Sequence, residues 1–302
     1  MASKYTRRGQ KAKLEATSLA RRAMKDADGS LTLDTLVSFS CNVSGHCCAT
    51  DVMIGPYDVW RLVHSDAVAS KLGIRLTSDL FGGEGAYLRL YLGSRSKLPQ
   101  ATIVNRPNEA RGKPTCPFLT PIGDFVPVLG IRPRLTVDNK PMNGCGIHEA
   151  RPTICRGYPF GRISGSNGSV KLIDWRDQCA SCYSGYLGGA MVPLGQWLED
   201  TGTAEGWRKT GVFLPLIEKL RKIESDNIRF VAGLVLFNFD IGWQRQGRTD
   251  AEIVSLRPAT FEQHLECVSQ FADAAIAFDH YAAIELLSRY GMQMTDDGEG
   301  HR

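Results

Sequence analysis

No stretch of this 302-residue chain approaches the roughly 20 apolar residues that a membrane-spanning helix needs. The first thirty residues hold no apolar segment that could form the core of a signal peptide. Arg7-Arg8 is a twin arginine, but no hydrophobic run follows it, which argues against export by that route. P-loop, GxSxG and HExxH patterns are missing, and so are internal repeats and low-complexity tracts. A Cys-His hydrolase needs one activated thiol with a partnered histidine, and nothing singles out such a thiol. Beyond Cys182 cysteine nearly vanishes, with Cys267 standing alone. These absences lead to the expectation of a soluble cytoplasmic protein without a membrane segment, a setting in which thiols stay reduced.

What the chain does have is clustered sulfur. Of its nine cysteines, eight fall between Cys41 and Cys182. They are Cys41, Cys47, Cys48, Cys116, Cys145, Cys155, Cys179 and Cys182. A chain of this length can bury its own core, as one large domain or two smaller ones, so disulfide staples are not needed. Reduced, clustered cysteines read as metal ligands first. Gly45, Gly144, Gly146, Gly157 and Pro159 lie beside them, which suits backbone that must bend around an ion. Cys179-Ala180-Ser181-Cys182 has the two-residue spacing that lets both thiolates reach one metal or cluster. Cys47 and Cys48 are adjacent, and adjacent side chains in extended backbone point to opposite faces. They fit two corners of one tetrahedral zinc poorly. An iron–sulfur cluster is larger, and each of its irons accepts one thiolate. Eight thiols could fill two four-ligand sites, or one cluster with thiols to spare, and the count leaves both open.

The charge is uneven. Residues 1–28 carry eight basic and three acidic side chains, net +5, so a chain of net +4 has −1 elsewhere. This arm reads as a solvated, partly helical segment over residues 9–26. The alternative is an arm for nucleic acid or another acidic partner, with Tyr5 as its lone aromatic. Asp28-Gly29-Ser30 ends it.

Further on, Gly55-Pro56 opens a helix through Tyr57 to Val63. Gly82 to Gly85 form a turn, and Ala86 to Leu92 alternate as a strand. Residues 105–145 are rich in Pro and Gly and read as irregular backbone with a few short strands. Arg162 to Ile173 read as a β-hairpin around Gly165-Ser166-Asn167-Gly168. From about Tyr186 apolar residues recur at helical spacing. Val212, Leu216, Ile217, Leu220 and Ile223 form one stripe, and Asn227 to Phe239 suggest a buried helix. A long helix is expected from Pro258 to a stop at Gly291. It contains His264 and Cys267, and Cys267 reads as a packing residue. The expected organisation is a basic arm (1–30), a cysteine-rich metal-binding domain (31–185), a helical region (186–292) and a frayed tail (293–302). The expected fold class is α+β and mainly helical, with an irregular cysteine-rich core, short strands and a helical C-terminal half.

The run Cys41-x5-Cys47-Cys48, then Cys116-Pro117-Phe118-Leu119, then Cys145-Gly146-Ile147-His148-Glu149-Ala150-Arg151-Pro152-Thr153-Ile154-Cys155-Arg156-Gly157-Tyr158-Pro159 resembles the YkgJ-type family. That family is described as zinc- or iron-chelating, with a CxxCxxCC box, an Asp-containing helix start, a CPFL-like box and a C-x-I-Y-E-x-R-P-x-x-C-R-x-Y-P box. The resemblance covers about residues 38–182. It extends to the flagellin lysine-N-methylases, which implies an iron–sulfur cluster beside a methyl-transfer activity. There are departures. Ser44 stands where the box has its second cysteine, and His148 where the family has Tyr. The insert between Cys116 and Cys145 is long. Cys179 or Cys182 could replace the missing ligand, as could His46 or His148, since imidazole suits zinc and iron.

The resulting expectation is a cysteine-ligated iron–sulfur cluster, 4Fe–4S, with zinc as the alternative metal, held by thiols from the set of eight. Arg151, Arg156 and Tyr158 either offset the cluster's negative charge or stiffen the loop. Two further alternatives are a zinc-stapled interaction protein with an unidentified protein partner, and an S-adenosylmethionine-dependent lysine methyltransferase. For the methyltransferase, Gly82 to Gly85 and Gly185 to Gly189 are glycine-rich, but neither sits clearly in a strand–turn–helix.

Overall fold

Turn-forming residues interrupt the first half of the chain so often that its elements stay short, whereas the second half runs into striped helices. The structure, a computed structural model, describes residues 31–39, 48, 52–82, 85–94, 97–107, 114–121, 143–164, 170–175, 190–240 and 248–277. The helices expected over residues 9–26 and beyond Ala277 lie outside them, as do the arm and the tail.

Two short strands, β1 (Leu36–Val37) and β2 (Met53–Ile54), flank Cys48. Helix α1 (Pro56–Val63) follows, with Pro56 at its first position. A missing N–H costs nothing there and the ring presets φ. Next come α2 (Asp66–Leu72), α3 (Thr77–Phe81), β3 (Leu88–Leu92) and β4 (Pro99–Ile103). β2, β4 and β3, in that order, make a three-stranded antiparallel sheet. The predicted alternation starts at Leu88 rather than Ala86. The Tyr87 N–H is taken by the Leu80 carbonyl at 2.9 Å and so is unavailable for the ladder.

β5 (Leu119–Pro121) pairs antiparallel with β6 (Asn143–Cys145). A 3₁₀ turn (His148–Ala150) and α4 (Thr153–Gly157) follow. β7 (Phe160–Ser164) and β8 (Val170–Asp174) form the expected hairpin. β9 (Val192–Pro193) pairs back to β1 and leads into α5 (Leu194–Asp200). The described chain ends in α6 (Thr203–Arg221), α7 (Asp226–Phe237), α8 (Asp250–Ser255) and α9 (Phe261–Ile276). The fold is α+β and mainly helical, and every strand pair among the described residues is antiparallel. Among the described residues no helix is long and apolar enough to cross a membrane.

Two helix expectations shift in detail. α9 begins at Phe261, not Pro258, because Thr260 and Gln263 form a reciprocal capping box that sets the start. In α6, Leu216, Leu220 and Ile223 beyond its end are buried, but Val212 is 51% exposed. The buried face of α6 begins at Thr203 and Gly206 and passes to Leu216 and Leu220, which leaves Val212 outside it.

One core joins the cysteine-rich part to the helices. Val59 and Leu62 of α1, Leu88, Phe118, Ile147 and Ala150 share it with Leu220, Leu236, Val268 and Phe271. Each such side chain contributes roughly 1.5–3 kcal/mol by leaving water. A smaller cluster gathers Val37, Phe39, Phe160, Leu194, Trp197 and Leu198. A buried ion pair also ties the ends of elements together. The Arg257 guanidinium lies 2.6 Å from Asp240 Oδ1 and donates to the carbonyls of Val63 and Arg75. Asp240 Oδ2 accepts from the Thr77 N–H, at the start of α3.

Candidate metal centre

Three of the eight candidate cysteines share one stretch of hydrogen-bonded backbone. The Cys116 N–H donates to the Cys48 carbonyl at 2.7 Å. The Leu119 N–H donates to the Cys116 carbonyl at 3.1 Å, and Leu119 sits opposite Cys145 in the β5–β6 ladder. The Gly146 N–H donates to the Phe118 carbonyl at 2.8 Å. Phe118 anchors this stretch. It is buried, and its ring stacks on Tyr87 with centroids 5.1 Å apart. Cys116 and Cys145 both pack against the main core. Cys48, Cys116, Cys145 and Cys155 are half-buried thiols, not disulfides.

The path from Cys145 to Cys155 is held by α1. Ile147 and Ala150 drop into the main core, while Tyr158 and Phe160 belong to the smaller one. Between them the loop is tied through its carbonyl oxygens. Arg61 donates to those of Arg151 (3.0 Å) and Glu149 (2.8 Å). Arg156 donates to those of Arg151 (3.0 Å), Thr201 (3.3 Å) and Glu149. Arg151 donates to that of His148 at 3.2 Å. The Arg151 and Arg156 guanidiniums thus serve backbone carbonyls, those of the loop and that of Thr201. The Tyr158 N–H closes α4 on the Ile154 carbonyl at 3.2 Å, and the Tyr158–Pro159 peptide is cis.

Asp58, on the third residue of α1, meets the start of α4. Its Oδ1 accepts from both the N–H and the hydroxyl of Thr153, each at 2.7 Å, and its Oδ2 accepts from the Gly55 N–H at 3.2 Å. Thr153 is gripped from the other side by α6. A Cβ placed on Gly206 would come within 2.5 Å of Thr153 Cγ2, so only glycine lets the two helices approach this closely.

Burial pushes the Asp58 carboxyl above its ordinary pKa, against the three hydrogen bonds that favour its charged form. His148 moves the other way. Burial, then the charges of Arg151 and Lys71, pull it down to about 4, so its imidazole is neutral near pH 7. A neutral imidazole is the form that ligates metal.

Among the described residues no group of three or more His, Cys, Asp or Glu side chains is gathered closely enough to hold a metal ion. Four of the eight candidates, Cys41, Cys47, Cys179 and Cys182, lie outside the described residues, together with Ser44 and His46. Cys267 is half-buried and belongs to neither core cluster, and its thiol donates to the Gln263 carbonyl at 3.1 Å within α9.

No family model, curated protein or solved structure matches this chain. The site therefore rests on its own chemistry. Thiols and a neutral imidazole are donor types that zinc and iron accept. Arg61, Thr153 and Gly206 were not singled out from the sequence, and Asp58 entered only as the Asp of the helix start in the family pattern. Nothing in the spacing links an Asp at a helix start to a threonine 95 residues away. A second feature lies elsewhere. A cavity of about 750 Å³ opens among α3, β3 and α7, walled by Leu76, Phe81, Leu88, Phe230, Leu234 and Phe237. None of its lining residues is a cysteine.

Proposed function

We propose that this chain is a cytoplasmic metal-binding protein whose cysteines carry an iron–sulfur cluster, 4Fe–4S, with ligands drawn from Cys41, Cys47, Cys48, Cys116, Cys145, Cys155, Cys179 and Cys182. The observation that supports it most is the backbone continuity of Cys48, Cys116 and Cys145. Three thiols distant in sequence ride on adjoining hydrogen-bonded segments. When bound, such a cluster supplies one-electron transfer or a structural staple. The relation to YkgJ-type proteins belongs to the same proposal and rests on the three cysteine boxes. Zinc remains the alternative occupant, since the same thiols suit it. The methyltransferase alternative draws no support from Gly82 to Gly85. Gly82 ends α3 and β3 comes after it, the reverse of the strand–turn–helix order of a nucleotide loop.

The test is substitution of single thiols. Cys116→Ser and Cys145→Ser should each lower the metal bound per chain and bleach the visible absorption, while Cys267→Ser should leave both unchanged. Equal metal content in all three variants would overturn the assignment of Cys116 and Cys145.

A further inference from the structure

We propose that Asp58 is the positioning residue of the cysteine centre, with Arg61 as its second anchor. The two fix the chain between Cys145 and Cys155 and thereby the relation of those two thiols. The proposal rests on the metal-binding reading above and deepens it.

Returning a bond to the Gly55 N–H needs only one acceptor from the third helix position, and a neutral Gln can supply that. Asp58 is instead a buried carboxylate, 6% exposed. Among the described residues no cation pairs with it directly. Arg61, one turn along, spends its guanidinium on the carbonyls of Glu149 and Arg151. Burying a carboxyl group is costly unless its oxygens are hydrogen-bonded. What this carboxyl group holds is Thr153, through two short bonds to one oxygen. Thr153 begins α4, and Cys155 follows two residues later in the same turn. Rotating or sliding α4 would swing the Cys155 side chain. Gly206 closes the other side, so Thr153 has one seat, between the α1 carboxylate and the α6 backbone. Arg61 acts on the preceding loop, so α1 sets both the approach to α4 and its rotation. Groups that orient metal ligands without touching the metal typically change metal affinity by about 10–100-fold when removed.

The experiment uses the full chain, purified without oxygen, and measures bound iron, sulfide and zinc, resistance to a competing chelator, and the visible and EPR spectra. Asp58→Ala and Thr153→Val should weaken metal retention at least about tenfold and shift the EPR signal of any cluster that remains. Thr153→Ser, which keeps the hydroxyl, should restore retention to near wild type. Val268→Ala truncates a fully buried side chain of α9 that takes no part in these hydrogen bonds. It should lower thermal stability without changing metal retention. If Asp58→Ala does not fold, the contrast between Thr153→Val and Thr153→Ser carries the test. A metal-loaded wild type whose Thr153→Val variant retains metal equally well, or whose Val268→Ala variant loses it equally, overturns the positioning role and leaves the metal reading standing. A wild type that holds neither iron nor zinc overturns both.

Discussion

Alanine at Gly206 should destabilise this protein, while alanine at Gly211, in the same helix, should stabilise it. Both glycines lie in α6, where alanine is favoured over glycine by about 1 kcal/mol. Around Gly211 nothing lies within 4 Å of an added Cβ, so that gain should appear nearly whole, about 0.5–1 kcal/mol. At Gly206 the methyl would sit within 2.5 Å of Thr153 Cγ2 and 2.9 Å of Thr153 Cβ. Thr153 cannot withdraw without stretching its bonds to Asp58. Overpacking of this kind costs about 1–3 kcal/mol. A weakened hydrogen bond to Asp58 adds about 1 kcal/mol. Against the helix gain, the net is a loss of about 2 kcal/mol. Urea unfolding of wild type and both variants at neutral pH measures it directly. The midpoints should move in opposite directions, separated by about 3 kcal/mol. A Gly206→Ala variant as stable as Gly211→Ala would refute the close contact between α4 and α6.

Other outcomes follow from buried ionisable groups. His264 is 4% exposed, its Nε2 lies 3.0 Å from the Leu236 carbonyl, and burial pulls its pKa down to about 4. Acid therefore charges the unfolded chain first. Stability should be full above pH 6.5 and fall toward pH 4, by up to about 3 kcal/mol from this group. His148 is shifted the same way, so His264→Gln should remove part of the slope and not all of it; an unchanged slope in acid unfolding curves would contradict the assignment. Arg257→Leu strands the buried Asp240 charge, and thermal or urea unfolding should register a loss of about 3–5 kcal/mol. Adding Asp240→Asn to it should recover part of that loss, and a double variant no better than the single one would show that the carbonyl bonds of Arg257 matter more than the charge.

Much of the fold was legible because single residues decide it locally. Pro56 marks the first position of α1, and the alternation around Leu88 marks β3. The Gly-rich turn between Arg162 and Ile173 marks the β7–β8 hairpin. The start of α9 was misplaced by three residues because Pro258 is a strong local signal, while the Thr260–Gln263 box, weaker to the eye, satisfies two end groups at once. The candidate ligands were legible as a composition: thiols crowd into one part of the chain. Their support was not. Asp58 to Thr153 spans 95 positions and Arg61 to Arg151 spans 90. Such pairs are brought together by packing of α1 against α4 and α6, which no local pattern encodes. Gly206 illustrates the same point. In sequence it is a mild helix weakness, and only the neighbouring Thr153 turns it into a requirement. Arg151 and Arg156 were candidates for offsetting cluster charge, and their visible partners are carbonyls of their own loop and that of Thr201.

The most direct measurement is iron, acid-labile sulfide and zinc per chain in wild-type protein purified without oxygen, read beside its visible spectrum. A brown protein with iron and sulfide in equal amounts, near four of each per chain, is the expected result, since zinc with its filled d shell gives no colour. Colourless protein with about one zinc per chain would replace the cluster with a zinc site, and protein with neither metal would contradict the assignment of these cysteines as ligands.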